Sequence, residues 1–177
     1  MAMTDDAIDV LLAGWRRERP DLDSSAIGIV GRIQRAATHA GGAIDGWLGG
    51  HDLEQGWFDL LSALRRSGPP YELSPTRLTR SLMLSSGGLT KRLDRMEAAG
   101  LIERRPDERD RRGVLVRLTT DGMRAVDAAI ATHIAGEEEL LRALTAEERD
   151  QLATLLRKLL LAWEGAAEGG EPYPLVA

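Results

Sequence analysis

The chain contains no cysteine in its 177 residues. That excludes disulfides, cysteine-ligated zinc and any thiol-based redox switch. Three histidines, His39, His51 and His133, are scattered too widely for the short ligand spacings of a metal site, so neither a metal nor a cofactor is expected. No apolar run approaches the ~18 residues of a membrane-spanning helix, so no membrane partner is expected. The opening residues MAMTDDAIDV lack a basic region followed by an apolar core. No secretory signal is read there, and the cytoplasm is the expected compartment. No nucleophile stands at a recognisable spacing from a partner base. Ser85-Ser86-Gly87-Gly88 has neither the preceding apolar strand nor the following Gly-Lys-Ser/Thr of a phosphate loop. No catalytic residue is assigned, and the chain is read as not an enzyme.

What is present is unevenly distributed. Hydrophobic residues make up 43%, ordinary for a folded globular chain, and the formal net charge is -5. Between Tyr71 and Arg117, however, eleven Lys/Arg face seven Asp/Glu, a local charge of +4 inside a remainder of -9. A basic module in an acidic body gives phosphates a place to bind, and the acidic remainder discourages indiscriminate coating of DNA.

The organisation is mainly α. Thr4 can cap a first helix to about Arg19, with Ile8, Leu11, Leu12 and Trp15 on one face and Pro20 as breaker. Ser24 or Ser25 begins a second helix whose end, among Gly41-Gly42 and Gly49-Gly50, the pattern leaves open. A third is predicted from about Asp52 to Ser67, stopped by Gly68-Pro69-Pro70. Ser74-Pro75 starts a short fourth helix that ends near Leu82. Ser85 is expected to cap a fifth, running to Ala99 with Leu89, Leu93 and Met96 inward. Ile102–Arg105 and Val114–Leu118 flank the polar turn PDERDRRG and predict a β-hairpin. A long helix follows Thr119 to roughly Ala143, and Thr145 with Glu148 forms a capping box for a last helix to about Trp163. The expected division is N-terminal helices 1–50, a DNA-binding module 51–118, C-terminal dimerisation helices 119–164 and a loose tail 165–177.

Helix, turn, second cationic helix and arginine-tipped hairpin, in that order, make a winged helix-turn-helix, so double-stranded DNA is the expected partner. Ser85, Ser86 and Gly87 stand where helix amides and hydroxyls meet phosphate or base edges. Thr90, Lys91 and Arg95 turn outward if Leu89, Leu93 and Met96 turn in. Thr90 and Lys91 are the expected base readers. Arg111 is placed at the wing tip for a narrow minor groove, and Arg109 and Arg112 contact DNA or brace the hairpin. The outer helices carry apolar stripes that so small a wing cannot cover. A two-fold homodimer on a palindromic operator answers both points. His39 falls on one of these outer helices, where an inert hydrogen-bonded role is favoured over pH sensing.

The stretch LSPTRLTRSLMLSSGGLTKRLDRMEAAGLIERRPDERDRRGVLVRLTTDG resembles the MarR family of transcription regulators. Its most specific part is Asp107-x-Arg109-Asp110-x-Arg112 followed by Val-Leu-Val and Leu118-Thr119. The resemblance spans roughly residues 25 to 161. The added helix with LLAGWRRERPDLD is similar to the urate-responsive, HucR- and PecS-like branch. That branch implies a ligand site of Trp15, Asp59, Arg92 and Arg104, and a small-molecule effector such as urate or xanthine. The residue types suit a purine anion: arginine offers a planar fork of donors and an indole covers a ring face. Taken singly, each residue has a plainer role: Trp15 in packing, Asp59 as a solvated helix residue, Arg92 on a phosphate, Arg104 paired with Glu103 or Asp107. A phenolic or aromatic carboxylate effector, or a protein-interaction module using the leucine-rich last helix, are the alternative readings.

Overall fold

A computed structural model describes residues 4–82, 88–107 and 110–167, the side chains of 111, 112, 166 and 167 excepted. Met1–Ala43 and Ile44–Ala177 form two compact units, taken in turn.

In the first unit, α1 (Ala7–Glu18) is capped by Asp6 rather than Thr4. The Asp6 carboxylate accepts the Ile8 and Asp9 backbone N–H groups at 2.7 and 3.0 Å, and the Asp9 carboxylate in turn accepts the Asp6 N–H. Two acidic residues at this spacing satisfy two orphan helix donors at once, which a threonine two residues upstream cannot do. Both carboxylates also take Arg32 from α2 (Ser25–Gly49), at 2.9 and 2.7 Å. Ile8 and Leu12 bury against α2, where a Cβ at Gly31 or Gly28 would stand 3.1 Å from their methyls. An open apolar groove of about 790 Å³ runs beside them, lined by Leu11, Ile27, Val30 and His39. Helix α2 passes through Gly41-Gly42 unbroken, its residues from Ile44 onward counting with the second unit.

The second unit holds α3 (Gln55–Arg66), β1 (Glu72–Leu73), α4 (Pro75–Ser81), α5 (Leu89–Ala98), β2 (Ile102–Asp107), β3 (Asp110–Leu118), α6 (Thr120–Leu140) and α7 (Ala146–Ala167). Helix α3 starts three residues later than the pattern suggests because Asp52 sits at φ 55°, outside helical space. Leu60, Leu61 and Leu64 of α3 are the centre of the core, joined by Leu78, Met96, Ile102, Val116 and Val126 from other elements of this unit. The Ser74 cap and Pro75 first turn of α4 are as expected. So is the Thr145–Glu148 box of α7, and Thr119, after which a long helix is expected, caps α6 through the Gly122 N–H. Exposed on α7 are Leu152, Leu155, Leu160, Leu161 and Trp163.

The sheet differs from the expected hairpin in two ways. Its antiparallel order is β1-β3-β2, with Glu72 opposite Arg117 and Leu73 opposite Val116. The hairpin is also longer, because Pro106 pairs with Val114 and Asp107 with Asp110 across a bulge. Gly113 permits that closure, since a Cβ there would lie 2.9 Å from the Asp107 Cβ. Helix α5 begins at Leu89 after a left-handed Gly88 (φ 79°) that offers no side-chain cap, and the Ser85 expected there falls outside the described residues. Its far end is a Schellman turn: Leu101 N–H reaches the Met96 carbonyl and Gly100 N–H the Glu97 carbonyl. Thr119 Oγ donates to the Gly100 carbonyl at 2.7 Å, and Gly122 lies so close to the Leu101 carbonyl that a Cβ would approach to 1.9 Å. Recognition helix, wing and α6 are thereby joined at one point. No helix of the described residues is long and apolar enough to cross a membrane.

Candidate nucleic-acid interface and buried polar site

Helix α5 presents two different flanks. Thr90 and Lys91 lie on its outward side in the first turn, while Leu93 and Met96 are buried and Leu89 packs partly against the core. The inward and outward assignment made from periodicity therefore describes this helix. Arg95 is also exposed, but it is engaged: its guanidinium donates to Glu54 at 2.8 Å and lies 5.4 Å over the Trp57 ring. A DNA contact by Arg95 would have to break that pair. Of the other nominated DNA residues, Ser85, Ser86, Gly87 and Arg109 lie outside the described residues, and Arg111 and Arg112 lie on β3 without described side chains. Composition contained more exposed cations than were singled out: Arg77 on α4 and Arg105 on β2. Arg77 and Arg105 line one cavity of about 690 Å³ between the α4 start and the outer half of the hairpin. Strand alternation is the signal that separates Arg105 from its neighbour.

That neighbour, Arg104, turns to α5. It donates to Glu97 at 2.6 Å and Asp94 at 2.7 Å, and its backbone N–H also reaches Glu97 at 2.9 Å. A longer contact of 3.5 Å meets the Thr90 carbonyl. Its partners are thus neither Glu103 nor Asp107. Residues 90, 94 and 97 share one face of α5, and Arg92 is turned roughly 200° from Thr90 at 3.6 residues per turn. The structure therefore does not bring Arg104 and Arg92 together: Arg104 is a strut between wing and recognition helix.

Arg92 faces α3 instead. Its guanidinium lies against Gly56, where a Cβ would stand 2.8 Å from Cζ. Any side chain at 56 would push it away. Among the described residues no hydrogen bond or ion pair holds it, though its charge acts on Asp59. Asp59 is half-buried, and its Oδ2 is fully buried without a partner. Burial raises its carboxyl above the ordinary value, against the pull of Arg66, Arg92 and His133. Asp59 and Arg92 are the two nominated ligand residues that the structure places in electrostatic reach of each other. Trp15 belongs to the first unit, on α1, and is about half exposed.

Three further polar groups escaped the sequence reading. Ser62 Oγ, His133 Nδ1 and Trp57 Nε1 are fully buried without partners. The His133 ring sits 4.9 Å from Phe58 and edge-on to Trp47 at 6.0 Å, and its Nε2 meets Glu137 at 3.0 Å. Trp47 can lie there because residue 136 is glycine; a Cβ would come within 2.4 Å of the indole. Among the described residues no group of His, Asp and Glu is arranged to hold a metal ion.

A helix pair ending in a cationic, outward-facing reader, backed by a third helix and flanked by a three-stranded wing, defines a winged helix-turn-helix DNA-binding protein. The MarR family profile matches residues 51–113. PecS, an HTH-type transcriptional regulator of Dickeya dadantii, is 37% identical over 145 residues, covering 82% of this chain and 87% of PecS. A cysteine-to-serine mutant of Escherichia coli MarR, solved in complex with operator DNA, superposes with a TM-score of 0.66 at 28% identity, over 82% of this chain and 97% of that one. BpsR of Bordetella bronchiseptica, whose DNA binding is regulated by 6-hydroxynicotinic acid, shares the fold with a TM-score of 0.66 at 24% identity, over 74% of this chain and 91% of its own. The chain belongs to the MarR family and is a PecS-like member of it. It is a DNA-binding transcriptional regulator from a ligand-responsive family, not an enzyme.

Proposed function

We propose that this regulator is a homodimeric repressor, released from a palindromic operator by urate or a related purine such as xanthine. The observation that carries the reading is the Asp59–Arg92 pair. A desolvated carboxyl with an orphan oxygen stands within electrostatic reach of an arginine on the recognition helix, and nothing else described holds that arginine. A planar anion entering beside them competes for the Arg92 fork and repels Asp59. Arg92 is a side chain of α5, so its new partner biases where α5 sits, and Arg104 carries the wing along with it. Such a coupling needs only a differential affinity between the DNA-bound and released arrangements. The second copy is supported by the uncovered apolar side chains of α7, Leu155, Leu161 and Trp163 among them, which exceed the scattered exposure of an ordinary monomer surface. Thr90 and Lys91, with the nominated residues at 85–87, 109, 111 and 112, supply the DNA contacts in this reading.

A mobility shift with the region upstream of the protein's own gene, at stated salt, tests it. Binding as a dimer that urate releases in the native chain, but not in Asp59→Ala or Arg92→Ala, is the expected result. Trp15→Phe and Arg104→Ala in the same assay test the two positions that the resemblance adds. Release by no purine leaves the regulator and removes the purine. Failure to bind at low salt removes the repressor reading altogether.

A further inference from the structure

The site beside Arg92 contains more chemistry than a charge pair. Asp59 and Ser62 are three residues apart on α3, so they share a face. His133 approaches from α6: its ring touches Phe58 of α3, at 4.9 Å between centroids, next in sequence to Asp59. Asp59 Oδ2, Ser62 Oγ and His133 Nδ1 are all buried and all unpartnered, and Ser62 is 5% exposed. Folded proteins leave few such groups without a hydrogen bond, so three from one helix pair need an explanation. The fourth orphan, Trp57 Nε1, lies on a different face of α3 beneath Arg95 and does not join them.

The set has a definite polarity. His133 Nε2 is 3.0 Å from Glu137 Oε1, and in the neutral tautomer whose Nε2–H donates to that oxygen, Nδ1 is an acceptor. An ionised Asp59 also only accepts, and the Ser62 hydroxyl does either. Two acceptors and one adaptable hydroxyl require a partner with N–H or O–H donors. An aromatic carboxylate such as salicylate, whose one O–H is held by its own carboxylate, has no donor left for either acceptor. A heterocycle whose edge alternates N–H and C=O satisfies the acceptors, and its acceptor positions remain for the Arg92 fork. Trp47, seated over Gly136 and edge-on to His133, adds an aromatic neighbour.

We propose that His133 and Ser62, with Asp59, read the donor edge of the effector and select a planar N-heterocycle with ring N–H groups over an aromatic carboxylate. This rests on the effector reading above, to which it adds two residues and a ligand chemistry.

The experiment is titration calorimetry of the full chain with urate, N-methylated urates and salicylate. The variants are His133→Phe, which keeps the ring contacts and removes the nitrogens, and Ser62→Ala. Operator affinity without ligand and the circular dichroism spectrum report that each variant is folded. The expected result is urate binding at least about tenfold weaker in each folded variant, with operator affinity unchanged. In the native chain, methylation of the ring nitrogens and replacement of urate by salicylate each cost about tenfold or more. If His133→Phe does not fold, Ser62→Ala and the methylated series give the answer. Unchanged urate affinity in the folded variants overturns the proposal, and loss in Arg92→Ala alone leaves the effector reading standing. Salicylate binding as tightly as urate overturns the donor selection. No binding of any probe by the native chain overturns both.

Discussion

On its wing side, α5 is held by Arg104, which reaches Asp94, Glu97 and the Thr90 carbonyl. On its α3 side, Arg92 lies against Gly56 without an ion pair, beside a carboxyl whose inner oxygen has no partner. The only ion pair described on that side, Arg95–Glu54, is more than half exposed and worth little. One flank of the recognition helix is satisfied and the other is not. A satisfied flank transmits motion, since wing and helix share their hydrogen bonds. An unsatisfied flank is where a ligand can gain something the empty protein lacks. Under the proposed reading the two arginines, which look equivalent in sequence, take opposite tasks: Arg104 keeps the DNA-reading parts in register, and Arg92 responds to the effector.

The comparison breaks most severely at the junction that anchors the satisfied flank. Gly122→Ala forces a methyl into the Leu101 carbonyl, with backbone on both sides and no flexible side chain to yield. The expected loss is about 3 kcal/mol, read as a lower urea midpoint, and near-native stability would show that the wing is not anchored there. Next in size is the strut. Arg104→Ala is expected to cost about 1–2 kcal/mol of stability, after allowing for partial exposure of the partners. It should also weaken operator binding roughly tenfold. Arg104→Lys should recover the charge but not the double bridge, so it should restore the salt dependence of binding without restoring its strength. Equal operator affinity in all three proteins would reduce the strut to a surface ion pair.

The smallest effect concerns the other flank. Burial holds the Asp59 carboxyl above 3.8, so between that pH and its native value the folded chain keeps a proton the unfolded chain has released. The group's contribution to stability is therefore present at low pH and is lost as pH rises through the native value. Asp59→Asn should raise the Tm at neutral pH, with the gain shrinking toward the acid end of the scale. A gain that instead grows on acidification would mean that Asp59 is held as a stabilised anion.

How much of this was legible depended on distance along the chain. Ser74-Pro75 and Thr145 with Glu148 were readable because a cap is made by residues three apart. The same locality misassigned the first cap, where Asp6 with Asp9 outcompetes Thr4 once Arg32 joins them. Strand β1 was not readable: two residues carry no periodicity, and Glu72 and Leu73 become a strand only because β3 offers them an open edge. Of the two ends that the glycine pairs left open, α2 takes the later one at Gly49, since glycine lowers helix propensity without forbidding a helix.

The site divides in the same way. Order of elements, the cationic face of the reader, the outward placement of Thr90 and Lys91 and the family itself follow from the sequence alone, because patterning and capping are short-range and the motif is contiguous. Only tertiary structure decided which arginine meets which carboxylate. A strand alternates every residue and a helix turns every 3.6, so Arg104 and Arg92 end on opposite flanks of α5 although little chain separates them. Only tertiary structure, too, left Asp59 Oδ2, Ser62 Oγ and His133 Nδ1 buried without partners, because burial removes water from groups on helices far apart in the chain, and a missing partner is visible only after the core has closed.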